Sequence, residues 1–390
     1  MRILLIHNYY QLRGGEDVYV DSLYKLLKEN GHEVLLYAKY SSDIKDSLIS
    51  KTKIAIGMFY NKTTIKELTQ IVKSFQPQVA HFHNIYPLIT PVAYESCKKL
   101  HVPIVQTIHS YRFMCPKATL FRDGKICEEC VGKRFFYPSI KYGCYRKSRL
   151  QSAVFSLAAY YHDIKRQIKL LDKFIFPAKF TRDYFIKNLP IPLNKTVIIP
   201  PFVSDIKVKE NKTLKNYFLY VGRLAEEKGV IQLVKLFSQI SSFKLLVIGE
   251  GPLREKILSY TRFKNIVIYP FNTREVVFGY MKNALATIIP STFYEVGPMV
   301  LIESYANGTP VIVPNFGVFK ERVIDGVTGV TYNLDNFNSL KDKINFISQN
   351  ERVIINMKIK ALLEYQNKYT EKIHLERLMK VYNNIIKKQS

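Results

Sequence analysis

Two carboxylates eight positions apart, Glu295 and Glu303 in STFYEVGPMVLIESYANGTP, are the clearest chemical signal in the chain. An acid among apolar residues is costly to bury unless a cation or a hydrogen-bond donor meets it. Glu295 precedes a Gly-Pro pair, and Pro298 suits the first turn of a helix, so Glu295 falls in a loop and Glu303 in the helix beyond. The amides around Pro298, Met299 and Val300 then form a helix N-terminus, which favours a phosphate. Upstream, LYVGRLAEEKG sets Arg223 and Lys228 just past an apolar run. Arg offers a planar fork and Lys a point charge, a combination suited to clamping a diphosphate. Taken alone, the two acids fit better a helix with a dipole-stabilising Glu295 and a surface Glu303.

The elements that must hold these groups follow from the apolar pattern. RILLIHN, HEVLLYA, QVAHFHN, PIVQTIH, KFIFP and TVIIP read as strands in the first half, and NYFLYVG, FKLLVIG, NIVIYP, ATIIPS and PVIVP in the second. Helical patterns such as DVYVDSLYKLLKENG, EKGVIQLVKLFSQI and VVFGYMKNALA lie between them. Apolar strands alternating with helices predict an α/β protein whose parallel sheets are covered on both faces. A chain of 390 residues exceeds what one core usually supports. The break is expected near Pro200-Pro201 and the polar VSDIKVKENKTLKN, giving domains at 1–203 and 204–365 and a lysine-rich helical tail at 366–390. In such sheets ligands bind beyond the carboxyl ends of strands. That rule singles out Gly14 and Gly15 in RGGEDVYV, where a backbone without side chains can approach a phosphate, and His109 at the end of PIVQTIH. A strand-end histidine on its own reads first as a satisfied structural residue, and His81 and His83 are expected to be cleft wall.

GRLAEEKG, VIGEGPL, PSTFYEVGPMVLIESYANGTPVI and VIDGVTG resemble the signatures of glycosyltransferase family 4. The resemblance implies a GT-B fold, two Rossmann-like doubly wound domains facing a cleft, with an N-terminal acceptor domain and a C-terminal nucleotide-sugar domain. It implies a retaining enzyme that needs no metal and takes a UDP- or GDP-sugar. Arg223 and Lys228 would hold the donor diphosphate, and Glu295 would meet donor-sugar hydroxyls. Glu303 would bind the ribose, and Gly14 and Gly15 would form the N-terminal Gly-rich loop. His109 would hydrogen-bond and orient the donor sugar. Where many relatives carry Gly-Phe-Gly, this chain has Val296-Gly297-Pro298, so the loop against the donor sugar departs from the family pattern. The tail helix is expected to cross back to the first domain, as in relatives. The acceptor is expected to be a saccharide, lipid-linked, in capsule, exopolysaccharide or lipopolysaccharide assembly. A GT-B sugar-nucleotide epimerase is the alternative enzyme.

The charge balance is +26, from 58 Lys+Arg against 32 Asp+Glu, which calls for an anionic partner. Nucleic acid is not expected, because no helix-turn-helix or RNP-like motif accompanies the charge. The basic stretch lies in an insertion at 111–150, where KRFFYPSIKYGCYRKSR mixes aromatics with six cations and no acid. It suits an anionic membrane surface, single-stranded nucleic acid or a solvated face. The same insertion holds Cys115, Cys127, Cys130 and Cys144, either ligands for a structural zinc or four reduced thiols. MRILLIHNYY does not resemble a signal peptide, so the expected location is the cytoplasm, peripheral to the inner face of the plasma membrane.

Overall fold

The computed structural model describes residues 1–204 and 216–387. The polar segment at 205–215, where the sequence places the domain break, lies outside the described residues. Every apolar run identified above is a strand. The first sheet contains β1 (Arg2–Tyr9), β2 (Glu33–Tyr40), β3 (Val79–Phe82) and β4 (Ile104–Thr107). A two-residue hairpin follows, β5 (Phe121–Arg122) with β6 (Lys125–Ile126), before β7 (Lys173–Phe176) and β8 (Thr196–Ile198) complete that sheet. The second sheet contains β9 (Tyr217–Val221), β10 (Lys244–Ile248), β11 (Ile266–Tyr269), β12 (Ala286–Ile288), β13 (Val311–Pro314) and β14 (Gly329–Tyr332). The β14 strand follows directly on the VIDGVTG stretch, and its glycines hide it from an apolar-run reading.

Both sheets are six-stranded and parallel, in the orders β2-β1-β3-β4-β7-β8 and β11-β10-β9-β12-β13-β14. Central strands such as β3, β4, β9 and β13 are buried along their whole length, the mark of a sheet covered on both faces. In each order the winding direction reverses once, between β1 and β3 and between β9 and β12. Those switch points open a crevice at the strands' carboxyl ends. Gly14, Gly15 and His83 follow the first pair of strands, and Arg223 and Glu295 follow the second.

The chain divides into two compact units, Met1–Leu120 with Cys127–Pro200 and His374–Ser390, and Phe121–Ile126 with Pro201–Ile373. The described part of the tail is the end of the Glu351–Lys368 helix and the whole of the Glu371–Ile386 helix. They part at Tyr369, which is buried, and at Thr370, whose hydroxyl accepts the Ile373 amide at 3.5 Å and caps the second helix.

Candidate active site

In the second unit, β9 runs into Gly222, the exposed Arg223 and a single tight turn, Glu226–Lys228. Gly229 closes that turn at φ +69, and a β-carbon there would lie 1.9 Å from the Pro290 carbonyl oxygen. Only glycine lets the Lys228 turn press this closely against the segment leaving β12. The Glu227 carbonyl ties the two together by accepting the Thr292 amide at 2.9 Å. Lys228 Nζ therefore reaches Glu295 Oε1 at 2.6 Å, and the Ser291 hydroxyl donates to the same oxygen at 2.7 Å. Lys228 also sits over the Phe293 ring, 5.0 Å from its centroid. Glu295 is 7% exposed, and this pairing is what makes so buried a carboxylate tolerable.

Pro298 is the N-cap of the Met299–Ala306 helix rather than its first residue, so Met299 and Val300 supply the open amides. Val296 is buried beneath the loop and Gly297 half-buried beside it. Glu303, just over one turn into the helix, is not a surface acid: its side chain is 14% exposed and takes Arg274 Nη2 at 2.8 Å. Burial raises its pKa, and Arg274 works in the opposite direction. Arg274 opens the Arg274–Asn283 helix, and its Nε is buried with no hydrogen-bond partner among the described residues. No motif in NTREVVFGYMKN marks it. A cation at the start of a predicted helix, where the dipole disfavours one, was the available hint.

In the first unit the groups are of another kind. Gly14 is the N-cap of the Gly15–Glu29 helix and donates its amide to Asp17 Oδ2 at 2.9 Å. A β-carbon at Gly14 would meet nothing within 4 Å, so the protein itself leaves open space here. His109 Nε2 lies 3.0 Å from His83 Nδ1. Burial, helped by repulsion from His7, lowers the His109 pKa to about 3, and His83 is lowered well below its ordinary value by burial and by neighbouring imidazoles. Both rings are neutral at pH 7. His81 is not cleft wall: it is fully buried, with Tyr382 Oη at 2.6 Å and Thr107 Oγ1 at 2.7 Å on its two nitrogens. His7 donates from Nε2 to Asp17 Oδ1 at 2.8 Å.

Comparison with known proteins places the whole chain in a family. Residues 203–371 match the family model for glycosyl transferases group 1, and residues 13–205 match that for glycosyltransferase family 4. The chain belongs to glycosyltransferase family 4. Over 402 aligned residues the enzyme is 25% identical to an uncharacterized glycosyltransferase of Methanocaldococcus jannaschii, with 99% of each chain covered. It is 27% identical over 195 residues to the capsular polysaccharide biosynthesis glycosyltransferase CapM of Staphylococcus aureus, covering 47% of this chain and 50% of that one. Anabaena HepE, solved in complex with UDP-glucose, superposes with a TM-score of 0.69 at 14% identity, covering 98% of this chain and 100% of that one. The likeness establishes the GT-B fold. As a family 4 glycosyltransferase the enzyme uses a nucleotide-sugar donor.

The zinc expectation for this transferase finds no support among the described residues. Among the described residues, one group of metal-ligand type has its ligand atoms within 4.8 Å of one another, His7 with Glu16 and Asp17, and it contains no cysteine. Cys115, Cys127, Cys130 and Cys144 are not joined in disulfides. Burial, followed by the neighbouring cysteines, pushes the Cys130 thiol up to about 12. The insertion is held by other means. The β5–β6 hairpin is closed by the Cys127 amide on the Leu120 carbonyl at 2.8 Å, and Leu120, Phe121, Phe136 and Tyr145 are buried. The Ser139 and Ser156 hydroxyls, 3.0 Å apart, join the Tyr137–Tyr142 helix to Arg149–Ile164. No helix among the described residues is long and apolar enough to cross a membrane.

Proposed function

We propose that this transferase moves a sugar, with retention at the anomeric carbon, from a UDP- or GDP-sugar to a lipid-linked saccharide in capsule, exopolysaccharide or lipopolysaccharide assembly. The observation that carries the reading is the convergence of Lys228, Ser291 and Glu295 at the β9/β12 switch point, beside the open amides of Met299 and Val300. Arg223 and Lys228 hold the diphosphate, Glu295 takes hydroxyls of the donor sugar and Glu303 the ribose. Gly14 leaves room for a phosphate at the Gly14–Gly15 loop, and His109 hydrogen-bonds the donor sugar. CapM, by its name, serves capsular polysaccharide biosynthesis, which supports the pathway.

The bond from the anomeric carbon to the diphosphate oxygen breaks, and the bond to the acceptor oxygen forms on the same face. The acceptor's proton passes to the leaving phosphate oxygen. Charge building on that phosphate meets Arg223, Lys228 and the helix amides, which need no rearrangement as the bond breaks. Covalent attack by Glu295 is the rival route. Its Oε1 is already engaged by both Lys228 and Ser291, which lowers its nucleophilicity and favours the same-face route.

A thermal-shift and slow-hydrolysis screen of UDP-, GDP-, ADP- and TDP-sugars tests the reading. A UDP- or GDP-sugar is expected to raise the unfolding midpoint and to lose its sugar slowly to water. A chain stabilised by none of them overturns it.

The lipid-linked acceptor draws support from the first unit's surface. Leu48, Ile49 and Ile56 on the Leu48–Phe59 helix and Leu150, Leu157 and Ile164 on Arg149–Ile164 are each at least 49% exposed. The two helices pack on one another, and Lys133, Lys141, Arg146, Lys147 and Arg149 stand exposed nearby in the chain. Apolar side chains ringed by cations suit an anionic bilayer. Flotation with phosphatidylglycerol vesicles is expected to carry the enzyme up at low salt and release it at high salt. Equal binding to neutral vesicles would count against this part of the reading.

A further inference from the structure

Away from the strand ends, the first unit buries another set of polar groups that its own bonds leave incomplete. The Arg149–Ile164 helix stops where Arg166 turns left-handed at φ +53. The tight turn that follows, Gln167–Leu170, packs back on that helix and on the Ala93–Lys99 helix. His162, in the last turn of the long helix, is 5% exposed, and Gln167 is 2% exposed. Two of their atoms, His162 Nδ1 and Gln167 Oε1, are buried without a hydrogen-bond partner among the described residues. Buried polar atoms are normally satisfied, so two orphans on neighbouring segments need a reason.

The bonds these side chains do make define what the orphans are. His162 Nε2 lies 2.7 Å from the Met58 carbonyl oxygen. A carbonyl only accepts, so Nε2 carries the proton and Nδ1 keeps a lone pair. Gln167 Nε2 donates to Glu95 Oε1 at 2.5 Å. The amide nitrogen must face that carboxylate, which leaves the Gln167 carbonyl oxygen over. Burial is the main influence on His162 and lowers its pKa, so the ring is neutral at pH 7. The Met58 carbonyl and then the charge of Glu95 pull the other way, which puts the carboxylate within electrostatic reach of the ring.

The three side chains therefore present lone pairs on an imidazole nitrogen, an amide oxygen and a carboxylate. A single water has protons for both orphans. It leaves the Glu95 charge to Lys99, whose Nζ is 3.8 Å away on an exposed side chain. A divalent cation answers the lone pairs and the charge together. A histidine whose other nitrogen donates to a backbone carbonyl is also the usual form of a metal-bound imidazole, because that bond fixes the tautomer and the ring.

We propose that His162 Nδ1, Gln167 Oε1 and the Glu95 carboxylate bind a divalent transition-metal ion, with water completing its shell. The inference is independent of the transfer reading, because the ion has a structural part and takes none in the chemistry. Nitrogen and oxygen ligands of these kinds suit zinc, cobalt or manganese. The set contains no thiol, which separates it from the cysteines of the insertion. Glu95 is partly exposed and gives the ion its way in. Once bound, the ion ties Ala93–Lys99 to the end of Arg149–Ile164, and through His162 to Met58 at the end of Leu48–Phe59. It thereby steadies the two helices that carry the exposed apolar side chains.

Cobalt chloride added to the chelator-treated full chain tests the inference by absorption and by melting. Cobalt in a nitrogen–oxygen shell gives weak visible bands, and thiolate ligands add an intense band in the near ultraviolet. The expected result is one cobalt per chain, displaced by zinc, with a raised unfolding midpoint and no thiolate band. His162→Gln keeps an N–H for the Met58 carbonyl but trades the imidazole nitrogen for a weaker ligand. Glu95→Gln changes a position open to solvent and keeps the test decisive if His162→Gln does not fold. Each variant should weaken cobalt by about tenfold or more. No binding at millimolar cobalt, as for a hollow that holds only water, overturns the site. So does a thiolate band on the bound cobalt, or an affinity that Glu95→Gln leaves unchanged.

Discussion

The two units solve one electrostatic problem in opposite ways. At its switch point the first unit gathers imidazoles and keeps them neutral by burying them, His83 against His109 and His374 between Tyr19 and the Pro200 carbonyl. The second unit gives each of its buried acids a cation, Lys228 for Glu295 and Arg274 for Glu303. All eight histidines of the chain lie in the ranges of the first unit. The lesson is about sensitivity. A neutral buried base is vulnerable to protons, and a paired buried acid is vulnerable to loss of its partner.

The largest effect should come from acid. Burial lowers His109 to about 3 and His374 to about 4. Below the ordinary histidine value the unfolded chain takes up protons that the folded one refuses, so stability falls as pH drops from 6.5 towards 4. At pH 5 each such imidazole costs about 2 kcal/mol. Glu303 works with the opposite sign, since its raised pKa lets the folded second unit accept a proton earlier than the unfolded chain does. Acid should therefore melt the first unit ahead of the second. The cysteines all lie in the first unit's ranges, and Cys97 is fully buried, so its labelling by 4,4′-dithiodipyridine in urea reports that unit alone. At pH 5 Cys97 should become reactive at lower urea than at pH 7.5, with the far-UV dichroism transition splitting in two. A single transition that shifts as a whole would erase the contrast.

The next largest effect concerns Glu295. Glu295→Ala removes a group proposed to touch the reacting sugar and strands Lys228 beside Phe293. With the donor found by screening, kcat should fall about 10²–10³-fold, and Glu295→Gln should recover only part of it, because an amide cannot pair with Lys228. Activity within tenfold of wild type would remove Glu295 from the chemistry and leave the pair purely structural.

Why the second unit's chemistry was easier to read than the first's follows from chain distance. Arg223, Lys228, Gly229 and Glu295 sit within two short motifs at the ends of adjacent strands, where a local pattern and the strand-end rule suffice. Gly229 then makes physical sense of the motif, because the Pro290 carbonyl excludes any β-carbon there. Arg274 was invisible because its meeting with Glu303 depends on how two helices pack. The histidines of the first unit come from His7, His81, His83, His109 and His374, brought together only when β1, β3 and β4 align and the last helix docks on them. The cysteine spacing leaves a metal and four reduced thiols both open, and the hairpin, two helices and buried aromatics that hold the segment are not legible in that spacing.

The smallest of the three effects tests whether a paired acid can also serve a ligand. Glu303 is held by a single bond to Arg274, leaving its remaining lone pairs for the ribose it is proposed to bind. Replacing it with Ala should remove hydrogen bonds to a charged group worth roughly 1.5–3 kcal/mol, raising the donor Kd about 10–100-fold. Because the ribose is bound alike before and during transfer, kcat should change by less than about threefold, so the loss appears in KM. Arg274→Gln separates ligand from lattice of contacts: it leaves Glu303 buried without its cation, and should lower thermal stability more than Glu303→Ala lowers it. If Glu303→Ala left nucleotide affinity intact while costing as much stability as Arg274→Gln, the acid would be there for the fold alone, and the second unit's two pairs would no longer be equivalent.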